Sequence, residues 1–265
     1  MAVDGQKTTR GWRIQYRGHL KGWTSSGLSG GTARNTGVKD FIGWYLGYGF
    51  LPAVFPGDAY TFKGSIDGSL GATGAAICTA IVVRGSVEQG GPIEFMVRFG
   101  GNGGLTLGSS EATDEATPNP GEGIDMKVAV NETDESDIRD VMMELTCAAK
   151  PYSSSGTAGV MKRVTGRIDA MVQYHTYEDA PSDYSAPGVT NDVIKVYCTE
   201  SLYWEITNMH MDDVEDYGTD LGDENQLSDP PGGLCRWRMD GHTAGAAIGT
   251  IKTPAESPVT KWPAE

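Results

Sequence analysis

The sequence has no long hydrophobic run. No segment reaches the roughly 18 consecutive apolar residues of a membrane-spanning helix, and residues 1–30 contain no apolar stretch of the kind found in signal peptides. We therefore expect no membrane partner. The four cysteines form no C-x-x-C pair, which favours free thiols in a reducing compartment over a disulfide framework; they are Cys78, Cys147, Cys198 and Cys235.

Catalytic signatures are equally scarce. The pattern G-x-S-x-G occurs at residues 27–31, but no alternation of strands and helices surrounds it, and the matching residues 156–160 contain no serine. No G-x-x-x-x-G-K-[ST] phosphate loop is present, and the acidic segment 212–225 lacks the residue order of an EF-hand, although a looser carboxylate cage stays an alternative. The histidines show no metal-ligand spacing; they are His19, His175, His210 and His242. We predict that the chain is not an enzyme and has no catalytic residues, metal or cofactor.

Basic residues are scarce in the second half of the chain. Residues 1–130 carry 11 Lys and Arg against 11 Asp and Glu, whereas residues 131–265 carry 10 against 24. The net charge of −14 therefore arises entirely after residue 130. An acidic chain is poorly suited to gripping nucleic acid, because Lys and Arg supply most of that affinity, but DNA could slide past its surface.

One pattern is present twice. R-x-T-G-x-x-D occurs at residues 34–40 and again at residues 163–169, and a gapless shift of residues 21–52 by 129 preserves twelve of 32 positions. We interpret this as an internal duplication, with Gly37, Asp40, Gly166 and Asp169 as the turn residues that define the repeat. Weaker matches follow at other offsets, pairing residues 87–88 with 214–215 and the glycines Gly91, Gly100, Gly104 and Gly108 with Gly232, Gly241, Gly245 and Gly249.

Strand patterns dominate both copies. Residues 60–66 alternate, with Tyr60, Phe62 and Ile66 expected on one face. Residues 77–83 form a nearly continuous apolar run, rich in β-branched residues, that is typical of a buried strand, and residues 93–99 place Ile93, Phe95, Val97 and Phe99 on one face. A short strand is expected at 126–130. The acidic start of residues 134–145 favours a helical turn at 134–140, although the second half of that segment aligns with a strand-like stretch at 12–20.

These patterns predict an all-β fold of two tandem β-sandwich domains with extended hairpins and loops. The predicted first domain spans residues 1–110, and an acidic connector containing Gly and Pro spans residues 111–140. The second domain spans residues 141–252 and carries an acidic insertion at 216–233. A Pro-rich C-terminal tail follows at 253–265.

Several segments resemble the major tail tube proteins of bacteriophages. GVKDFIGWYLGY (37–48) and GRIDAMVQYHTY (166–177) each look like that family's G-x-x-D strand, and PGDAYTFKGSIDG (56–68) resembles its Pro-Gly turn and long strand. VVRGSVEQGGPIEFMVRFGGNGGLTLGS (82–109) is similar to its closing hairpin. The resemblance covers about residues 35–110 and, more faintly, about 163–250, where the acidic insertion and CRWRMDGH (235–242) depart from it.

The resemblance implies a virion structural protein whose β-domains form stacked rings around a lumen through which DNA is ejected. A chain with two such domains would close as a trimer with pseudo-sixfold symmetry. Implied partners are other copies of the chain, tape-measure and tail-end proteins, and DNA that passes without sequence-specific binding. The implied location is the virion tail, after assembly in the host cytoplasm. Because a channel for DNA should repel phosphate, we expect acids of the second copy to face the lumen, such as Asp192, Glu200 and Glu205.

Two other classes stay open at this point. A related virion component, such as a tail-end or capsid-decorating protein, could use the same sandwich. Alternatively, the chain could be a duplicated module that binds carbohydrate or a cell surface, with tryptophans as stacking platforms. Self-assembly into rings would separate a tube protein from a binding module. The candidate platforms are Trp12, Trp23, Trp44 and Trp204.

Overall fold

The computed structural model describes residues 2–3, 9–23, 33–35, 37–66, 70–108, 121–135, 137–177, 192–199, 202–217, 232–239 and 251–252. Strands account for 76% of these residues and no α-helix occurs among them, so the all-β prediction is confirmed. Within the same residues there is no helix with the length and hydropathy needed to cross a membrane.

The strands vary widely in length, and the longest, of 16 residues, are about three times as long as an ordinary strand. Two short 3-10 turns, Gly123–Asp125 and Ser155–Thr157, separate some of them. In chain order the strands are β1 (Ala2–Val3), β2 (Thr9–Gly18), β3 (Lys21–Trp23), β4 (Ala33–Asn35), β5 (Lys39–Tyr48), β6 (Ala59–Ser65), β7 (Gly71–Ser86), β8 (Glu94–Gly108), β9 (Lys127–Val130), β10 (Thr133–Asp134), β11 (Ile138–Tyr152), β12 (Lys162–Thr176), β13 (Asp192–Thr199), β14 (Leu202–Tyr217), β15 (Gly232–Met239) and β16 (Ile251–Lys252).

Fourteen of these strands form one antiparallel sheet. Its main path runs β10-β9-β13-β14-β15-β12-β11-β7-β8-β5-β2, while β6 pairs with β7 and β1, and β16 pairs with β14. The strands β3 and β4 pair separately with each other. Pairing follows the order β2-β5-β8-β7-β6 in one half of the sheet, where β6 pairs with β7 off the main path. The other half has the equivalent order β11-β12-β15-β14-β13. We call these two sets the first and the second repeat.

Strand pairing reproduces the offset of 129 residue by residue. All nine residue pairs between β2 and β5 recur between β11 and β12, from Thr9 opposite Gly47 and Ile138 opposite Thr176 onwards. The interruption of register after Thr9 recurs after Ile138. The three pairs between β3 and β4 match the three at the far end of β11 and β12, such as Gly22 opposite Arg34 and Pro151 opposite Arg163.

The later strands correspond at other offsets than the sequence suggested. Arg98 lies opposite Trp44, and Arg236 lies opposite Gln173, which is 129 residues after Trp44, so Arg98 corresponds to Arg236. Ala80 and Asp213 lie opposite these two arginines and therefore correspond as well. The predicted match of residues 87–88 to 214–215 is wrong, as is that of Gly91 to Gly232. Val214 and Glu215 correspond to Ile81 and Val82, and Gly232 corresponds to Glu94.

A single hydrophobic core extends through both repeats. In the first repeat Phe62 stacks on Phe99 with ring centroids 4.6 Å apart. In the second, Trp204 and Trp237 are almost completely buried, and the indole N–H of Trp204 donates to the backbone oxygen of Phe50 at 3.2 Å. The strands predicted at 77–83 and 93–99 are confirmed, with Ile93, Phe95, Val97 and Phe99 all buried. Ile66 lies just beyond β6 and is exposed, unlike Phe62.

The segment predicted as a connector contributes to the sheet. The predicted short strand is confirmed as β9, which pairs with β13 and buries Val128 and Val130. The predicted helical turn at 134–140 is wrong, because β10 ends at Asp134 and β11 begins at Ile138. From Asp140 to Thr146 β11 pairs on both sides, so the backbone groups of these residues are satisfied by neighbouring strands. Residues 109–120, the tail at 253–265 and residues 218–231 of the insertion lie outside the described residues.

Glu135 gives the fold a pH dependence. The pKa of its carboxyl is raised to about 7, chiefly by burial, while a hydrogen bond from the Tyr174 hydroxyl opposes the rise and the nearby Asp134 adds to it. Between the ordinary value of 4.5 and about 7 the folded chain therefore binds more protons than the unfolded chain. Stability falls as pH rises through this window.

Replacing Glu135 by glutamine should remove that slope and raise the free energy of unfolding at pH values above the window, since a neutral amide carries no desolvated charge. Urea denaturation of dilute protein at a series of pH values would measure it. Glu122→Gln, which changes an exposed carboxylate of the same segment, is the control. An unchanged slope in Glu135→Gln would contradict the prediction.

Candidate assembly interface

The two repeats are joined by a continuous β-ladder. The second half of β7, Ala80–Ser86, pairs antiparallel with Asp140–Thr146 of β11 through seven residue pairs. The first half of β7 pairs with β6 along the same side, while β8 occupies the other side of β7. We call this ladder and the contacts around it the junction. Because it uses main-chain hydrogen bonds, the junction extends one repeat's sheet directly into the other.

A bidentate ion pair lies beside the ladder. The guanidinium of Arg163, from β12, donates to both carboxylate oxygens of Asp40, from β5, at 2.9 and 2.8 Å. Only 7% of the Arg163 side chain and 15% of the Asp40 side chain are exposed. Arg163 also donates to the backbone oxygen of Gly101. A planar guanidinium fork on a carboxylate is the strongest kind of charged hydrogen bond, and here it ties the second repeat to the first.

The first repeat is shaped to receive Arg163. A Cβ atom placed on Gly100 would lie 2.5 Å from the guanidinium Nε, so only glycine leaves space for this side chain. Asn102 of β8 binds the backbone of β12, because the Asn102 side-chain oxygen accepts from the backbone N–H of Arg163 at 2.9 Å. The Asn102 backbone oxygen accepts from the Lys162 ammonium at 2.9 Å.

Further contacts cross the junction at both ends. The backbone N–H of Lys39 donates to Gly159, and the Lys39 backbone oxygen accepts from Met161. Arg98 pairs with Glu144 at 3.1 Å, and Arg139 pairs with Glu88 at 3.2 Å. These surface pairs are each worth less than about 1 kcal/mol, so the ladder and the Arg163–Asp40 pair carry most of the junction.

Two sheet edges are left open in the part of the chain that the structure describes. β2 pairs with β5 on one side, and no described strand pairs with its other side. Beyond the end of β13, residues 213–217 of β14 likewise pair only with β15. Such edges present unpaired N–H and C=O groups, and natural proteins normally protect them or use them for association.

The two open edges carry opposite charge. β2 contains Arg10, Arg13 and Arg17 and no acidic residue, whereas residues 212–216 of β14 read DDVED. The arginines of β2 are exposed, as are Asp212 and Asp213, which form ion pairs with Arg238 and Arg236 at 2.6 and 3.1 Å. A basic strand edge and an acidic one on the same chain suit pairing between copies.

The residues that define the repeat have structural roles that differ from the predicted turns. Gly166 lies inside β12, and a Cβ atom on it would lie 2.7 Å from the backbone oxygen of Ala148, at a β-bulge. Gly37 precedes β5, and its Cβ would lie 2.0 Å from the backbone oxygen of His19, 129 residues before Ala148. Asp40 is in the junction. Asp169 is exposed, and its carboxylate accepts only from the N–H of Ala170 among the described residues.

Two of the three acids predicted to face a lumen have protein partners. Asp192 is buried and accepts a hydrogen bond from the Asn131 side chain at 2.5 Å. Only 12% of the Glu205 side chain is exposed; it pairs with Lys252 and lies 3.9 Å from Lys195. This contact with Glu205 raises the pKa of Lys252. Glu200 lies outside the described residues, and the assignment of these acids to a lumen stays a prediction.

Among the described residues, those considered for chemistry or sugar binding are not assembled into a metal site or a set of free stacking platforms. Trp204 is buried in the core, and Trp12 is partly buried with its N–H donating to the Ser65 backbone oxygen at 3.2 Å, so these two rings are not free platforms. Trp44 is partly exposed, and the side chain of Trp23 lies outside the described part. All four cysteines are buried free thiols. Within the described residues, no three His, Cys, Asp or Glu side chains group as metal ligands. The pattern at 27–31 lies outside them.

Arg163 is the functional residue that sequence reasoning left without a role. The signal was present, because both copies of R-x-T-G-x-x-D keep an arginine six residues before an aspartate. Six residues along one chain do not bring these two side chains together. The structure pairs the arginine of one copy with the aspartate of the other. Comparison with protein-family models gives no match, and comparison with curated protein sequences gives no significant match either.

Proposed function

We propose that this chain is a virion structural protein that assembles into stacked rings forming a phage tail tube, with trimers of pseudo-sixfold symmetry as the repeating unit. The tube would conduct DNA during ejection without binding a particular sequence. The chain would act together with tape-measure and tail-end proteins in the virion tail, and its role is structural and not enzymatic.

The junction is the observation that carries this proposal. Two repeats with the same strand order are joined edge to edge by β7 and β11. The joint is heterologous, since it uses different strands on its two sides. Repetition of such a joint generates either a closed ring or an open filament. A wall built in this way is a continuous sheet. Of the two alternatives, the resemblance in sequence to tail tube proteins favours the closed ring.

Charge supports the same proposal. The net charge of −14 would make an assembled ring strongly acidic, and an acidic wall does not retain a passing polyanion. The net charge is also compatible with solubility of the unassembled chain before polymerisation.

Electron microscopy of the purified chain tests the proposal. Negatively stained protein at increasing concentration should show rings with a central hole, and stacks of rings at the highest concentrations. Analytical ultracentrifugation should show trimers or their multiples. A chain that stays monomeric at all concentrations and salt conditions, alone and with tail-end proteins, would contradict the proposal.

A further inference from the structure

The internal junction provides a template for a contact between chains. β2 corresponds to β11, and residues 213–217 of β14 correspond to residues 80–84 of β7, by the strand pairings given above. In the junction β11 and β7 pair with each other, whereas their counterparts β2 and β14 are the two open edges. We propose that β2 of one chain pairs with the end of β14 of a second copy, and that Arg34 of the first chain binds Asp169 of the second. This inference rests on the proposed assembly into rings, but not on the rings being a tail tube.

The junction also gives the register of this contact. Leu145 lies opposite Ile81, and Thr146 lies opposite Ala80. Transferred to the corresponding residues, Tyr16 lies opposite Val214, and Arg17 lies opposite Asp213, of the neighbouring chain. Gln15 then lies opposite Glu215. The pairing places Arg17 directly opposite Asp213, so opposite charges meet across the strands at this position.

Burial in the two repeats agrees with this assignment. Val141, Met143 and Leu145 of β11 are almost completely buried against the neighbouring β7. The corresponding residues of β2 are Trp12, Ile14 and Tyr16. Trp12 and Ile14 are partly exposed, and 40% of Tyr16 is exposed. The same face of the same strand is thus buried where its partner is present and open where the partner is another chain.

The repeated motif completes the contact. Within one chain, Arg163 of the second copy of R-x-T-G-x-x-D binds Asp40 of the first. The remaining halves are Arg34 and Asp169, which are both exposed and form no ion pair with a described residue. If the next chain continues the order of repeats, its Arg34 approaches Asp169 as Arg163 approaches Asp40. Each copy of the motif therefore contributes its arginine to one joint and its aspartate to the next joint.

Two substitutions distinguish the two joints. Gly100, which lies under Arg163, is replaced at the corresponding position by Arg238, and Thr79 is replaced by Asp212. Arg238 and Asp212 pair with each other at 2.6 Å, so the two added charges compensate each other. Because Arg238 occupies the space that Gly100 leaves for Arg163, the guanidinium of Arg34 would approach Asp169 from outside that space, and the joint between chains is an ion pair without a matching glycine cradle.

Cysteine cross-linking tests the register. A chain carrying Tyr16→Cys and Val214→Cys should form disulfide-linked dimers and trimers under mild oxidation, because directly opposed residues lie within disulfide range. Peptide mass spectrometry should find the link between positions 16 and 214 of different chains. Arg10→Cys with Val214→Cys, placed six residues further along the strand, is the matched control and should not cross-link, because about 20 Å separates the two positions.

Charge exchange tests the ion pair. Arg34→Asp and Asp169→Arg should each raise the protein concentration required for half-maximal assembly by about tenfold or more, because each opposes like charges at the joint. The double variant, which restores an opposite pair in the reversed order, should recover most of the assembly. Arg167→Asp, which changes an exposed arginine on the same strand as Asp169, is the control and should assemble like the unmodified chain.

The outcomes separate this inference from the proposed function. Rings that form normally in both single-charge variants, and give no link between positions 16 and 214, would overturn the inference and leave the proposed function standing. A chain that forms no oligomer would overturn both. Cross-linked trimers whose assembly is restored only in the double-charge variant would support both the register and the Arg34–Asp169 pair.

Discussion

Replacing Arg163 by alanine is expected to lower the free energy of unfolding of the single chain by about 3–5 kcal/mol, because the change leaves the carboxylate of Asp40 largely buried without its countercharge. The side chain of Asp40 is 15% exposed, so water cannot replace the guanidinium fully. The backbone oxygen of Gly101 loses a donor at the same time. Urea denaturation of protein dilute enough to be monomeric would measure the change.

Two further variants make this expectation sharp. Arg167→Ala removes an exposed arginine from the same strand and should change stability by no more than about 0.5 kcal/mol. Asp40→Asn combined with Arg163→Ala should recover part of the loss, since no buried charge is then left unpaired. If Arg163→Ala were as stable as Arg167→Ala, the pair would not hold the two repeats together.

Replacing Leu145 by alanine is expected to cost about 2–5 kcal/mol of stability, since Leu145 is completely buried in the core beneath the junction and its loss leaves a cavity there. The corresponding residue of the first repeat, Tyr16, provides a matched comparison. Tyr16 is 40% exposed, so Tyr16→Ala should cost the single chain less than about 1 kcal/mol. The unfolding free energies of the dilute variants would measure both values.

In assembly, Tyr16→Ala should have the larger effect of the two variants. Tyr16→Ala should raise the concentration needed to form rings, because its ring is expected to be buried only when a second chain pairs with β2. Equal losses of stability in Leu145→Ala and Tyr16→Ala would show that the two edges are already equally buried in the single chain. The difference in exposure between Tyr16 and Leu145 would then not support association of chains through β2.

The sequence was sufficient to predict the strands but not the way in which they join. Alternation over Ile93, Phe95, Val97 and Phe99 reports directly which face is buried, and all four are in the core. The offset of 129 recurs in the strand pairings, where β11 and β12 repeat the register of β2 and β5, because a duplication preserves strand pairing along with sequence. By contrast, the acidic residues at 134–140 suggested a helix start, whereas pairing with β7 and β12 makes β11 a strand from Ile138 onwards.

Contacts between the two repeats could not be predicted from the sequence, for a physical reason. The pairing of β7 with β11 and of Arg163 with Asp40 joins residues far apart in the chain, and local sequence patterns carry no information on which edges meet. The glycine matches failed for a different reason. Glycine is abundant in this chain, and a Gly-based alignment tolerates any shift, whereas the hydrogen-bonded pairs of β14 with β15 fix Gly232 opposite Tyr217. The prediction of Trp204 as a stacking platform was wrong, although the alternation of Trp204 and Ile206 with polar residues in β14 indicates a buried face.

The exposed arginines of β2 have a consequence for the chain before it meets another copy. An uncovered strand edge invites indiscriminate pairing with any extended polypeptide during synthesis, and charged side chains on such an edge act as gatekeepers against it. In β2 the residues that deter a wrong neighbour are also those that would attract the acidic end of β14. Selectivity of this kind is electrostatic and acts over about 8 Å at physiological ionic strength. Added salt would therefore lower the specificity of pairing as well as its affinity.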